Sequence, residues 1–218
     1  FIPMPSPILN KNKKSILSNN GSILYIKNDY PRYLYRLFSH PIGKYVDIYR
    51  KWSENFLDKI DTNLVSNMLI RLYPLDQKGI NNDIKKKYSK FKFDDYSESF
   101  DYQLKNCKIA ISDTNQTTYL QSIALDIPTL VFWNPISTEI RPEAQLFINK
   151  LKDVGILHYS PESAAIFLNL HYFNIDKWWM SSEVREAREL FISNFANVNN
   201  HWENNWINFI CGIDKIEY

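Results

Sequence analysis

The sequence predicts an α/β protein with a parallel sheet flanked by helices. Short, continuously apolar segments alternate with amphipathic ones, which is the pattern of βαβ units in a sheet covered on both faces. Of the 218 residues, 44% are hydrophobic, so the chain can bury a large core. We therefore expect an irregular N-terminal segment or linker over 1–20, a single Rossmann-like domain over 21–175, and a helical C-terminal tail over 176–218 that packs on the same domain.

The predicted strands are short apolar runs that end at polar or proline residues. In chain order they are SILYIKND, NMLIRLYP, NCKIAISD, PTLVFWN and ILHYS. Between the first two, apolar residues recur at three- and four-residue steps over 46–60, which predicts a helix. The segment 77–100 is a polar connection with some helical potential.

The later helices carry start and stop signals of their own. Pro142 suits the first helical position of a helix over RPEAQLFINKLKDV, and Gly155 suits its C-terminal cap. Ser160 is an N-cap candidate, followed by Pro161 at the first helical position. The segments SSEVREARELFISNFA and HWENNWINFI predict the closing helices.

Composition excludes several functional classes. A net charge of +2 is too small to indicate a nucleic-acid partner, and no run of about 18 apolar residues or signal peptide is present. The expected location is the cytoplasm. The sequence has no G-x-G-x-x-G and no P-loop motif. The histidines show no ligand-like spacing with one another or with cysteine, so neither a metal nor another cofactor is expected.

The polar turn between the third and fourth strands is the main candidate site. Its residues would open at the carboxyl edge of the sheet, where the next helix directs unpaired N–H groups at a ligand. The candidate phosphate-binding residues are Ser112, Asp113, Thr114, Asn115, Thr117 and Thr118. Alternatively, Thr118 and Gln121 match a capping box that would close the helix without a ligand. The residues alone leave both interpretations open.

Five further side chains are candidates with structural alternatives. Arg71 ends a strand and could pair with phosphate or a sugar carboxylate, or be an ordinary ion-pair partner. Arg141 lies at a helix entrance and could bind the same group or face solvent. Trp133 and Asn134 follow a strand, where they could contact a base or a sugar, although a tryptophan there is often core. His40 would act as a catalytic acid or base if it faced the crevice.

Three blocks resemble the C-terminal half of a family of surface-polysaccharide (O-antigen type) transferases. They are SDTNQTTYLQSIALDIPTLVFWNP, EIRPEAQLFINKLKDVGILHYSPESAA and WWMSSEVREARELFISNFA, within a resemblance from about Tyr30 to Ile210. More distantly, the pattern is similar to the donor-binding domain of GT-B glycosyltransferases, sugar-nucleotide 2-epimerases and glycerophosphotransferases.

The resemblance implies a donor site for a nucleotide-activated sugar, with its phosphate over the turn from Thr114 to Thr118. It implies a glycosyltransferase of bacterial O-antigen or capsule synthesis, at the cytoplasmic face of the inner membrane, that needs no metal ion. Because the chain opens on Phe1, we expect a missing N-terminal half that holds the glycan or lipid-linked acceptor, and no turnover by this chain alone. The family usually has glutamate where this sequence has Gln121, which favours a structural role there.

Two other functions remain open. A shortage of glycine and the presence of Gln121 are compatible with a non-catalytic module that binds glycan or protein through a degenerate Rossmann domain. A sugar-nucleotide epimerase-like domain is the third alternative. The run of Lys85, Lys86 and Lys87 predicts a solvated helix face or a weak landing patch for anionic lipid or acidic glycan, and binding to lipid would give peripheral membrane association.

Overall fold

All six β-strands lie in one parallel sheet, as the computed structural model of residues 4–7, 9, 21–28, 46–74, 80–199 and 201–212 describes it. Its order is β3-β2-β1-β4-β5-β6. The strands are β1 (Ile23–Ile26), β2 (Met68–Arg71), β3 (Lys92–Phe93), β4 (Ile109–Ser112), β5 (Thr129–Phe132) and β6 (Leu157–His158). The predicted α/β class is confirmed.

Helices connect successive strands and form the C-terminal tail. They are α1 (Val46–Asp58), α2 (Thr62–Val65), α3 (Ile80–Lys87), α4 (Phe100–Asn106), α5 (Thr117–Ala124), α6 (Pro142–Asp153), α7 (Pro161–His171), α8 (Ile175–Trp179), α9 (Ser182–Phe195) and α10 (Trp202–Gly212). In the described part of the chain, no helix is long and apolar enough to cross a bilayer.

The core lies on both faces of the sheet. Ile23, Leu24 and Tyr25 of β1 are all fully buried, because successive side chains enter opposite layers. One layer lies under α1 and α7, where Tyr25 packs against the stacked rings of Phe56 and Phe132. The other layer lies under α4, α5 and α6. A sheet covered in this way exposes its strand ends, which is where the candidate residues lie.

The polar connection over 77–100 contains more structure than the sequence indicated. It forms α3, the two-residue edge strand β3 and the start of α4. β3 pairs only through Leu69↔Lys92 and Ile70↔Phe93, so it is too short to show a strand pattern in the sequence. Helix α4 begins at the N-cap Ser99, whose side chain accepts a hydrogen bond from the Tyr102 N–H at 3.2 Å.

The predicted caps of the later helices are confirmed. Pro142 and Pro161 each open a helix, and the Ser160 hydroxyl accepts from the Ser163 N–H at 3.1 Å. Gly155 has a φ of 80° and donates to the Lys152 carbonyl at 3.0 Å, while the next residue donates to the Leu151 carbonyl at 2.9 Å. This is the Schellman arrangement that favours glycine after a helix.

The tail helices pack unequally. Trp179 is fully buried, whereas none of the described side chains of α10 is buried. Trp206 of α10 donates its indole N–H to the Pro5 carbonyl at 2.9 Å. The tail therefore joins the domain mainly through α8 and α9.

Gly155→Ala should destabilise the fold. A left-handed backbone costs a residue with a Cβ about 1–2 kcal/mol, and the added Cβ would lie 2.5 Å from the Phe167 ring. Gly212→Ala is the matched control, because its Cβ would meet nothing within 4 Å. Urea unfolding should show a lower midpoint for Gly155→Ala alone, and equal midpoints for both variants would contradict the role assigned to Gly155.

His158 should make stability depend on pH. Burial lowers the pKa of His158 from its ordinary value of 6.5 to about 4. As pH falls below 6.5 the unfolded chain takes up a proton that the folded chain refuses until about pH 4, so stability is lost across that window. Urea unfolding at pH 7, 5.5 and 4.5 should show a smaller loss for His158→Gln than for the parent. An identical loss in both would show that His158 does not titrate in this way.

Candidate functional site

The carboxyl ends of the strands form a crevice between β1 and β4. The chain leaves β1 toward β2 on one side and leaves β4 toward β5 on the other, so the strand order reverses at this point. Ligands of open parallel sheets bind where the connections diverge in this way. Two adjoining cavities occupy the region.

The first, which we call the aromatic cavity, has a volume of about 100 Å³. It lies between α1 and the turns after β4 and β5. Its aromatic walls are Tyr49, Trp52 and Trp133, and its polar lining is Asp113, Thr114, Asn115, Gln116, Asn134, Ser137, Thr138 and Glu139. The two acidic residues are the charged groups of this lining.

The second, the cationic cavity, has a volume of about 210 Å³ and lies among the ends of β1, β2 and β4. Its charged lining residues are Lys27 and Arg71. Thr114 and Gln116 line both cavities, so a single elongated ligand could reach from one to the other.

Helix α5 opens at this crevice without a side-chain cap. Its N-cap residue is Gln116, which makes no capping hydrogen bond. The predicted capping box is wrong, because the helix already begins at Thr117 and Thr118 lies inside it. Gln121 instead donates its amide N–H to Asp101 at 3.2 Å, so its structural role is to join α5 to α4. The free N–H groups of the first turn carry a partial positive charge toward the crevice.

The predicted turn residues distribute over both cavities. Thr114 lines both, Asn115 lines the aromatic cavity, and Ser112 and Thr118 line the cationic cavity. Thr117 is exposed at the first position of α5 and lines neither cavity. The structure thus brings four of these five residues to cavity walls.

Asp113 is a buried carboxylate with three hydrogen-bond donors. It accepts from the Tyr25 hydroxyl at 2.8 Å, the Ser53 hydroxyl at 2.9 Å and the Asn28 backbone N–H at 3.3 Å. Its negative charge disfavours direct contact with phosphate. Asp113 is therefore better suited to holding the turn after β4 against β1 and α1 than to binding an anion.

Lys27 was not predicted from the sequence, although it directly follows the apolar run of β1. Only 6% of its surface is exposed. Its ammonium group donates to the Asn28 carbonyl at 3.2 Å and lies 4.7 Å from the centre of the Tyr49 ring. A charged residue immediately after a buried strand is the signal that could have identified it.

Arg71 is both an ion-pair partner and a cavity residue. Its Nη1 donates to the Asp94 carboxylate and to the Gln103 side-chain oxygen, the latter at 2.9 Å. The guanidinium also lies against the rings of Tyr96 and Phe100, with centroids 5.1 and 5.7 Å away. Its Nε and Nη2 have no hydrogen-bond partner among the described residues. That edge of the guanidinium can donate two parallel hydrogen bonds to an oxyanion.

The aromatic side of the site combines core and lining residues. Trp133 is only 3% exposed and packs against Tyr119 and Tyr159, yet it also lines the aromatic cavity. Asn134 accepts from the Ile136 N–H at 2.9 Å and thereby shapes the turn after β5.

Arg141 and His40 stay predictions. Arg141 is exposed at the N-cap of α6 and lines neither cavity, so its binding role stays a prediction. His40 lies outside the described residues. Within the described ranges, no group of histidine, cysteine, aspartate and glutamate could hold a metal ion.

Asp94→Asn should destabilise the fold more than the same change at Asp95. The Asp94 side chain is 2% exposed, and its negative charge compensates the Arg71 charge. Removing that charge should therefore lower the free energy of unfolding by about 2 kcal/mol. Asp95→Asn is the neighbouring control, because Asp95 is exposed and bonds only to Ser97. Urea unfolding compares the variants, and equal midpoints would show that the Arg71 pair contributes nothing.

Comparisons with known proteins place the chain in a family. No curated protein matches it. Among solved structures, a variant of the wall teichoic acid polymerase TagF is 16% identical with a TM-score of 0.48, covering 91% of this chain and 45% of that one. WaaG, a glycosyltransferase involved in lipopolysaccharide biosynthesis, is 15% identical with a TM-score of 0.48, covering 96% and 55%. The chain thus spans about half the length of these structures. The family model described as LIC12162 family transferase matches residues 1–210, and the chain therefore belongs to that family of transferases.

Proposed function

We propose that the crevice binds a nucleotide-activated sugar, and that this chain is the donor-binding half of a glycosyltransferase of bacterial surface-polysaccharide (O-antigen or capsule) synthesis. One observation carries the proposal: the uncapped start of α5 opens beside Lys27 and Arg71, at the point where the strand order reverses. Membership of a transferase family is consistent with it.

The cationic cavity has the chemistry that a phosphate group requires. The first N–H groups of α5 carry about half a positive elementary charge. Lys27 adds an ammonium group, and the free edge of Arg71 adds a planar pair of donors. Thr118 and Ser112 contribute hydroxyl groups to the same wall.

The same contacts would assist transfer of the sugar. When the bond between sugar and phosphate breaks, negative charge grows on the leaving phosphate, and donors fixed around it stabilise that charge in the transition state. We propose that the acceptor, a glycan or lipid-linked hydroxyl, and the catalytic base belong to a second α/β half at the cytoplasmic face of the membrane. This chain alone would then bind the donor without turning it over.

Lys27→Met should weaken nucleotide binding. Methionine keeps the apolar stem and removes the charge, and loss of a charge-assisted hydrogen bond corresponds to about 10- to 100-fold in affinity. The measurement is calorimetric titration with UDP, GDP, CDP and CMP in turn. Lys86→Met is the control, since Lys86 is exposed on α3 and lines neither cavity.

Four results would contradict the proposal in different ways. If no nucleotide binds at millimolar concentration, the donor site is wrong. Equal affinity of the parent and Lys27→Met would exclude the cationic cavity as the phosphate site. Binding of oligosaccharide without any nucleotide would favour the non-catalytic module, and efficient sugar transfer by the isolated chain would exclude the need for a second half.

A further inference from the structure

The aromatic cavity differs from its neighbour in the sign of its charge. Among the described residues its charged lining groups are Asp113 and Glu139, whereas those of the cationic cavity are Lys27 and Arg71. The three donors around Asp113 already occupy its carboxylate. Glu139 is exposed and has no hydrogen-bond or ion-pair partner in the described part of the chain, so its carboxylate is available to a ligand.

We infer that the aromatic cavity receives the sugar ring of the donor, and that this ring is uncharged or amino-substituted rather than a uronic or sialic acid. The inference rests on the function proposed above and specifies its substrate class. It assigns Glu139 as the residue that discriminates among sugars.

The dimensions and the lining fit one six-membered ring. A volume of about 100 Å³ on an open cleft is smaller than the roughly 150 Å³ cavity that encloses benzene, so the cavity can take one face of a single ring and leaves the rest of the ring outside. Trp52 and Trp133 offer apolar ring faces, while Asn115, Ser137 and Thr138 offer amide and hydroxyl groups around them. A pyranose has apolar C–H faces and a rim of hydroxyl groups, and so matches both.

The charge of Glu139 then sets the specificity. A sugar hydroxyl or an amino group donates to its carboxylate, and an amino cation gains further from the aromatic walls. A sugar carboxylate would meet Glu139 in a small cavity whose described lining residues include no cation. The Lys27 ammonium group, 4.7 Å from the centre of the Tyr49 ring in this wall, belongs to the neighbouring cavity and is assigned to the phosphate. Because two neighbouring negative charges repel each other, the cavity should bind a sugar without a carboxylate more tightly than one that carries it.

The test compares two donors that differ only at C6. For the nucleotide that binds most tightly in the titrations above, the glucose and glucuronic acid esters are titrated against the parent chain, Glu139→Gln and Glu143→Gln. Glu143 is the matched control, because it is exposed in the first turn of α6 and does not line the cavity. We expect the parent and Glu143→Gln to prefer the glucose ester by about tenfold. In Glu139→Gln, the glucuronic acid ester should bind more tightly, so that the ratio of the two affinities approaches one.

The outcomes separate this inference from the proposed function. If both esters bind the parent equally and Glu139→Gln changes neither, the specificity is wrong while the donor site stands. If Trp52→Leu weakens the free nucleotide as much as the sugar ester, the base occupies the cavity and the inference is overturned. If no nucleotide binds the parent at all, the proposed function fails and this inference fails with it.

Discussion

The candidate site depends on one buried carboxylate. Asp113 directly follows β4, and its three hydrogen bonds reach Tyr25 of β1, Ser53 of α1 and the backbone just after β1. An unpaired buried carboxylate is strongly disfavoured, so these donors must be present together for the turn to form. This turn after β4 lies between the aromatic cavity and the cationic cavity. The shape of both cavities therefore follows from contacts that lie behind their walls.

Helix α5, which carries the positive end of its dipole to the crevice, is fixed at its far end as well. Asp126 follows this helix with a φ of 59° and forms an ion pair with Arg188 of α9. The same carboxylate accepts from the Trp179 indole N–H at 3.0 Å, and the Arg188 guanidinium lies 4.0 Å from the Trp179 ring centre. Arg188 and Trp179 of the C-terminal tail thus hold the end of α5 that lies opposite the crevice.

Local sequence patterns predicted most strands and the helix caps, but they could not predict contacts between segments that are distant in the sequence. β4, β5 and the Gly155 cap each carry a signal within a few consecutive residues, so the sequence indicated them correctly. The capping box failed because Thr118 and Gln121 have the right spacing, but α5 begins one residue before Thr118. The hydrogen-bond partners of Arg71 are Asp94, which directly follows the two-residue strand β3, and Gln103 of the seven-residue helix α4. Such short elements are stabilised by tertiary contacts rather than by a periodic pattern.

Glutamine at position 121 has a physical reason in this fold. Its amide donates to Asp101 of α4, and Gln103 of the same helix accepts a hydrogen bond from Arg71. Glutamate at 121 would bring two carboxylates together at this distance, and one of them would have to take up a proton or move away. The helix that begins at the cationic cavity and the arginine that lines this cavity thus both contact α4, and the neutral amide of Gln121 is compatible with the Asp101 carboxylate there. Because the side chain of Gln121 is committed to Asp101, the proposed nucleotide would have to hold its ribose through other residues of the crevice.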